Sequence, residues 1–569
     1  MTNPLHASFD DTPPGTAAQG QLAHPAAIAH GERLARRFYP VGEHAWCLVG
    51  NGLSNQTFVR GPAGIIAIDT GESNEEMASA LEALRTVTDE PIVAVIYTHF
   101  HYVNGTEAIR SAHPAQPLEI YGHTGIAANL KRFGGEIAPR SGRGLVHQFG
   151  MMLPDEGPDA HLHCGLGRFY RNPEHAPFTP GYLPATHPID AATRLEIAGL
   201  TVDITPAPSD ATDSITIYFP TLRLCVNNLV WPALFNVYAI RGEEYRDPRV
   251  VLAGIDHIVG LQPEHLVGTH GPPLSGERVV PEAQCYRDAI QFLWDQTVRG
   301  ANAGLSLSEL TERVVLPDLY QQSYFTQQLY GLVEHHVRQI HAGLFGWFDE
   351  REQHLFPLPE RERHERLIAG FGGREAVRAQ LAEALARKDL RWGVELAAWL
   401  VHSDDATQDD RDDLANALTA IARGTMSANV RSWCLTRALA LRGDLDLERH
   451  HTLRMRQADV LSAEPARFVH VLRVLLDPDR AEGLDAEVAW QFASGERAGL
   501  HVRGGVAVPT GGQDADVVLG MSLETWAEIA ACRRTLDAAI EEGVVSVAGD
   551  EAMLRRVFAA FDHAALNSQ

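Results

Sequence analysis

The chain has 569 residues, enough by length for about three or four domains. Lys and Arg number 48 against 73 Asp and Glu, a formal charge of −25, which excludes nucleic acid and anionic membrane surfaces as main partners because both need a cationic face. Hydrophobic residues make up 45% of a globular composition, and no apolar run reaches the roughly 18 residues that span a bilayer.

The first 32 residues are polar and rich in Pro, Ala and His, without the basic start and apolar core of a secretory signal. The segments AWCLVG (45–50), QTFVRG (56–61) and GIIAIDTG (64–71) read as strands, the last ending in an acid and a glycine. An amphipathic helix is expected at 73–85, then a nearly continuous apolar strand, PIVAVIYTHFH (91–101), that stops in histidines. Strand, helix and buried strand are the pattern of a layered α/β unit, whose functional residues gather beyond the carboxyl ends of its strands. Residues 112–186 are loop-rich. Strands return at 195–208 and 214–228, and a helix at 248–261 leads into HLVGTHG (265–271). After about residue 282 helical periodicity takes over, with helices at 284–299, 327–345, 374–387, 392–402, 411–423 and 430–441. The acidic stretch 404–413 reads as a solvated loop and cap. From residue 467 a mixed pattern follows, strand-like over 487–511 and helical over 522–543. Six cysteines, Cys47, Cys164, Cys225, Cys285, Cys434 and Cys532, stand singly with no CxxC pair, which fits reduced thiols and a cytoplasmic setting.

The strongest chemical signal is His99-Phe100-His101. Alternate residues of an extended segment face one side, so two imidazoles at a strand end converge on one metal ion. A second such pair, His161-Leu162-His163, lies in the loop-rich stretch and reads as exposed loop histidines. His270, in a strand-to-loop turn, suits a third or fourth ligand or a buried histidine bonded to backbone. Asp210, in APSDATDS, suits a carboxylate ligand, with Asp213 as its local competitor. His335, His336 and Arg338 stand on a helix beside an aromatic patch, and His335 facing a metal cleft would serve as proton donor to a leaving group.

Taken together, GIIAIDTG, AVIYTHFH, YFPTLRLC, NVYAIRGEEYRD, THGPP and YGLVEHHVRQIHAGLFGWFD resemble the metallo-β-lactamase superfamily and, within it, the alkylsulfatase family. The resemblance implies an α/β fold: after an N-terminal arm (1–30), an αββα sandwich (31–283), an all-α dimerisation domain (284–446) and a small α+β sterol-carrier-like domain (455–569). The last is expected to offer an apolar groove near Trp526 and Phe558. Proteins of that family hold two zinc ions and cleave alkyl sulfate esters, with cationic and amide side chains holding the sulfate. Carried over by position, the resemblance assigns His99, His101 and Asp210 to the first metal, Asp210 replacing a glutamate, and His270 to the second. It assigns Asn236 and Arg241 to an anion pocket and His335 to substrate contact or general acid catalysis. The family motif HxHxDH reads His99-Phe100-His101-Tyr102-Val103-Asn104 here, Asn227-Asn228 stands where a glutamate ligand is expected, and Phe235 replaces a histidine. These departures imply a facial triad around one divalent ion, zinc, with iron(II) or manganese(II) as alternatives. The expected function is hydrolysis of a sulfate ester or related small anion carrying an apolar chain; a lyase or non-heme iron oxidative enzyme is the alternative. The expected assembly is a homodimer.

Overall fold

Seven strands line up in chain order as one sheet, the inner ones β-branched and apolar: Arg37–Val41, Ala45–Val49, Gln56–Gly61, Gly64–Ile68, Ile92–Ile96, Glu119–His123 and His187–Ile189. Ile92–Ile96 lies parallel between Gly64–Ile68 and Glu119–His123. A central strand covered on both faces has no polar alternation, which is what its sequence shows. Six more strands, Thr193–Ile197, Leu200–Pro206, Ile215–Phe219, Leu224–Asn227, His265–Gly268 and Leu274–Ser275, form a second sheet. Val59, Ile66, Ile68 and Ile96 of the first meet Val202, Ile204, Ile217, Val226 and Val267 of the second in one buried cluster. The helix Asn74–Leu84, capped by the Ser73 hydroxyl, packs on Gln56–Gly61. On the outer side of the second sheet, Val251, Ile255 and Ile258 of Pro248–Gly260 and Tyr286 of Val279–Asn302 cover Cys225 and Leu266. The result is an αββα sandwich.

The computed structural model describes residues 8–133 and 135–567, so the first seven residues of the expected arm lie outside the described residues. The rest of the arm is held down: Asp10 N–H donates to Gly424 O at 3.0 Å, and Gly15–Thr16 pairs with Leu22–Ala23. The helical region runs through Arg374–Ala386, Leu390–Val401, Gln408–Gly424 and Ala428–Arg442, around Leu381, Leu396, Leu414 and Leu435. The acidic stretch 404–413 within it is not all solvated. Asp410 is buried at the third position of its helix, closes a capping box with Thr407 and pairs with Arg374 and Arg378. Acids are favoured there by the free N–H groups of a first turn.

A separate unit comprises Lys131–Gly142 with the residues from Glu448 onward. Its five strands run in the order Val506–Thr510, Arg497–Arg503, Asp485–Phe492, Val517–Met521, Ser546–Gly549. The helix expected over 522–543 is broken into Leu523–Ala530 and Leu536–Glu541, with Cys532 at a φ of +54° between them. Trp526 and Phe558 do not line a groove. Both are buried, their rings 5.5 and 5.6 Å from that of Trp490, because only the core offers aromatic partners on every side. A cavity of about 1000 Å³ in this unit is lined instead by Arg454, Met455, Leu461, Cys532 and His563.

Candidate metal centre

The strand Ile92–Ile96 ends before the histidines, so they are placed by the turns that follow. Gly64–Ile68 leads into Asp69, whose φ of +57° folds the chain back over the neighbouring strand end. The Asp69 carboxylate accepts the Thr98 N–H at 2.8 Å and the Thr98 hydroxyl at 2.7 Å. That hydroxyl has given its proton to Asp69, so its lone pair faces His99 Nδ1 at 2.8 Å. The relay places the His99 proton on Nδ1 and leaves Nε2 bare. His99 itself is extended, and Phe100–Tyr102 form one 3₁₀ turn. His101 therefore returns beside His99 by a turn, not by strand alternation, with Nδ1 3.0 Å from His99 Nε2.

Asp210, on the loop beyond Leu200–Pro206, brings Oδ2 to 3.8 Å from His99 Nε2 and 3.5 Å from His101 Nδ1. Its other oxygen accepts from Asn228 Nδ2, which also reaches Ser214 Oγ at 3.1 Å. Asn228 thus buttresses the aspartate. Asn227 is spent on the backbone of Leu229, Val230 and Val267. Among the described residues His99, His101 and Asp210 are brought together as one group of potential ligands, without Asp213. Asp213 is buried nearby, with no hydrogen-bond partner for its carboxylate among the described residues, and burial pushes it up to about 6.

A tetrahedral ion with ligands at about 2.0–2.2 Å spaces its donors by roughly 3.3–3.6 Å. The three observed separations, 3.0, 3.5 and 3.8 Å, bracket that range, so the residues fit a divalent cation. Burial pushes His99 down to about 3, which keeps it a neutral, ligating imidazole. Burial alone would raise Asp210, but His99, His101 and Arg246 hold it well below the usual carboxylate range.

His270 stands outside this group. Its Nδ1 donates to Leu53 O at 3.1 Å, its Nε2 has no partner among the described residues, and Tyr102 and Trp231 flank it edge-on at 5.5 and 5.0 Å. Arg241 forms a buried pair with Glu243 at 2.6 Å, and its Nη1 donates to the Tyr330 hydroxyl at 3.3 Å. Asn236 is buried, its side-chain amide has no partner among the described residues, and its backbone carbonyl accepts from Arg246 Nη1 at 2.6 Å. His335 packs edge-on to Tyr238 and burial lowers its pKa. His336, next along, is fully buried, and among the described residues neither ring nitrogen has a hydrogen-bond partner. The pair read as exposed loop histidines is packed against its neighbours: His163 is buried, bonding Ala27 O at 2.8 Å, and the half-buried His161 stacks on Phe169. Packing on aromatic and backbone partners stabilises them there.

Residues 49–220 match the metallo-beta-lactamase superfamily, 306–444 match alkyl sulfatase dimerisation and 455–567 match alkyl sulfatase C-terminal. A linear primary-alkylsulfatase of Pseudomonas sp. (strain ATCC 19151) is 34% identical over 82% of this chain and 90% of its own. The chain belongs to the alkylsulfatase family. An (R)-specific secondary-alkylsulfatase of Pseudomonas sp. is 28% identical, over 90% of this chain and 78% of that relative. The solved stereoselective inverting sec-alkylsulfatase of Pseudomonas sp. shares the fold at a TM-score of 0.82 and 24% identity, covering 99% of this chain and 90% of that one. Membership in the alkylsulfatase family makes the chain an enzyme, a hydrolase, and favours hydrolysis over lyase or oxidative chemistry. The superfamily implies a metal cofactor. No helix among the described residues is long and apolar enough to cross a membrane.

Proposed function

We propose that the chain hydrolyses the sulfate ester of an apolar alcohol at a single zinc ion held by His99, His101 and Asp210. The observation that supports this most is the convergence of those three donors in a member of the alkylsulfatase family. When bound, the ion supplies Lewis acidity and makes water nucleophilic near neutral pH. Asp69 and Thr98 orient His99; Asn228 orients Asp210. Val103 and Asn104 offer no anionic ligand, and His270 stands apart, which favours one ion over two. The unbonded Asn236 amide serves as a substrate contact. Arg241, neutralised by Glu243, acts by positioning Tyr330. His335, kept neutral by burial, suits hydrogen bonding to substrate better than proton donation. We further propose the domain limits 31–283, 284–446 and 455–569, a homodimer, and the cytoplasm as its place, the six cysteines being unpaired.

The test is metal content by mass spectrometry together with sulfate release from a linear primary alkyl sulfate. One zinc per chain and sulfate release are expected, and both vanish in His99→Ala and His101→Ala. Two tightly held ions per chain, or iron with oxygen uptake, would overturn the reading.

A further inference from the structure

Tyr330 stands just ahead of the helix Val333–Phe345, its ring in one buried cluster with Tyr102 and Phe149. Its hydroxyl oxygen meets Gln148 Nε2 at 3.0 Å and Arg241 Nη1 at 3.3 Å. The sense of both bonds is fixed. A backbone N–H can only donate, and that of Arg241 donates to Gln148 Oε1 at 3.1 Å. The other end of the amide, its NH₂, is therefore the end that faces Tyr330. A guanidinium has no lone pair to offer either. The phenol oxygen thus accepts twice, and its own proton has to point elsewhere. Among the described residues no acceptor takes that proton. Two donors on one oxygen also polarise the O–H bond and strengthen what it gives. The charged and ionisable groups that act on this hydroxyl, besides Arg241, include Arg246, Tyr102 and Asp210, so it shares the surroundings of a candidate metal ligand. Burial raises its pKa above the ordinary tyrosine value against the pull of both arginines, which keeps the proton on the oxygen. A buried hydroxyl proton without an acceptor is destabilising, and an anion seated against it relieves that.

We propose that the Tyr330 hydroxyl donates a hydrogen bond to a sulfate oxygen of the substrate, with Gln148 as the positioning residue that keeps its proton turned that way. The inference rests on the sulfate-ester reading and adds to it a neutral donor on the anion and the amide that sets its direction. The ester carries one negative charge and inorganic sulfate two, so a donor held on those oxygens favours the charge as it grows. Arg241 beside it is a weaker claimant for that task, because Glu243 takes up its charge.

Sulfate release from a linear primary alkyl sulfate tests the inference, measured on full-length, metal-loaded wild type, Tyr330→Phe, Gln148→Glu and the double variant, each checked for metal content and circular dichroism. Tyr330→Phe removes the donor alone and is expected to lower kcat/KM roughly 100-fold. Gln148→Glu keeps the shape of the side chain. Its carboxylate still accepts the Arg241 N–H, but it takes the phenol proton instead of donating to the phenol oxygen, which turns that proton away from the substrate; the loss is of the same order. With Phe at position 330 there is no proton to turn, so the double variant falls less than about threefold below Tyr330→Phe, where two merely structural roles would add. Should Gln148→Glu fail to fold, calorimetric binding of inorganic sulfate to wild type and Tyr330→Phe decides, with an affinity loss of about fivefold or more expected. Wild-type kcat/KM or wild-type sulfate affinity in Tyr330→Phe, or additive losses in the double variant, overturn the inference and leave the hydrolase reading standing. A metal-loaded wild type that releases no sulfate overturns both.

Discussion

Thr98→Val removes a single oxygen and keeps the shape of the side chain. That oxygen bonds Asp69 at 2.7 Å and His99 Nδ1 at 2.8 Å, so its loss cuts the relay that fixes which His99 nitrogen faces the cation. Groups that orient a metal-bound histidine through its other nitrogen are worth about 10–100-fold in metal affinity, or about 1.4–2.7 kcal/mol. Without metal the variant also leaves one Asp69 oxygen buried and unbonded, a cost of about 1–3 kcal/mol of stability. The assay is a zinc competition titration against a chromophoric chelator, with urea unfolding of the metal-free protein alongside. Thr98→Ser, which keeps the hydroxyl, is expected within about threefold of wild type in zinc affinity. Wild-type affinity in Thr98→Val, or an equal loss in Thr98→Ser, would refute the relay.

Arg241→Met strands the Glu243 carboxylate in a buried site and should cost about 3–5 kcal/mol in urea unfolding, whatever it does to turnover. Gly144→Ala should also destabilise, because a Cβ there would lie 2.3 Å from Arg241 O and push the helix Ala138–Phe149 off that backbone; the melting temperature reads it. His30, bonded to Gly165 O and Tyr324, is pushed by burial down to about 4 from 6.5. The unfolded chain binds that proton more readily, so this contribution is complete above pH 6.5 and is lost as pH falls towards 4, by about 3 kcal/mol. Stability measured against pH should fall across that window with about one proton less slope in His30→Gln.

The elements that carry chemistry were legible because their patterns are local. The buried strand before His99, the helix that starts near Ser73 and the strand-to-loop turn at His270 are all written in a few consecutive residues. The pairing of Asp210 with the histidines was visible only as a candidate, since Asp213 fits the same local pattern and only the second sheet's loop geometry separates them. Arg241 read as an anion-binding group because its partner Glu243 could not be known to turn back onto it. Asp69, Thr98 and Arg246 were missed as site residues. Asp69 and Thr98 sat in quoted motifs, each at the end of a strand, and that position was the available signal. Arg246, in NVYAIRGEEYRD, gave none, because its contact with Asn236 O depends on how the loop folds. Burial of His163 likewise arises from the fold, through its contact with the distant Ala27 carbonyl.

The helix Val333–Phe345 has a second significance. Its first turn carries His336 beside Asn236, and Gly331 just ahead of it lets both approach so closely that a Cβ would sit 2.6 Å from Asn236 Oδ1. Near its far end Gly343 admits the Tyr245 ring, one residue from Arg246. Thirteen residues at about 1.5 Å each make a rod of roughly 20 Å, stiff on the scale of the enzyme and pinned at two points along its length. A side chain larger than glycine at either point would therefore shift the whole rod against Asn236 at one end or against Tyr245 at the other.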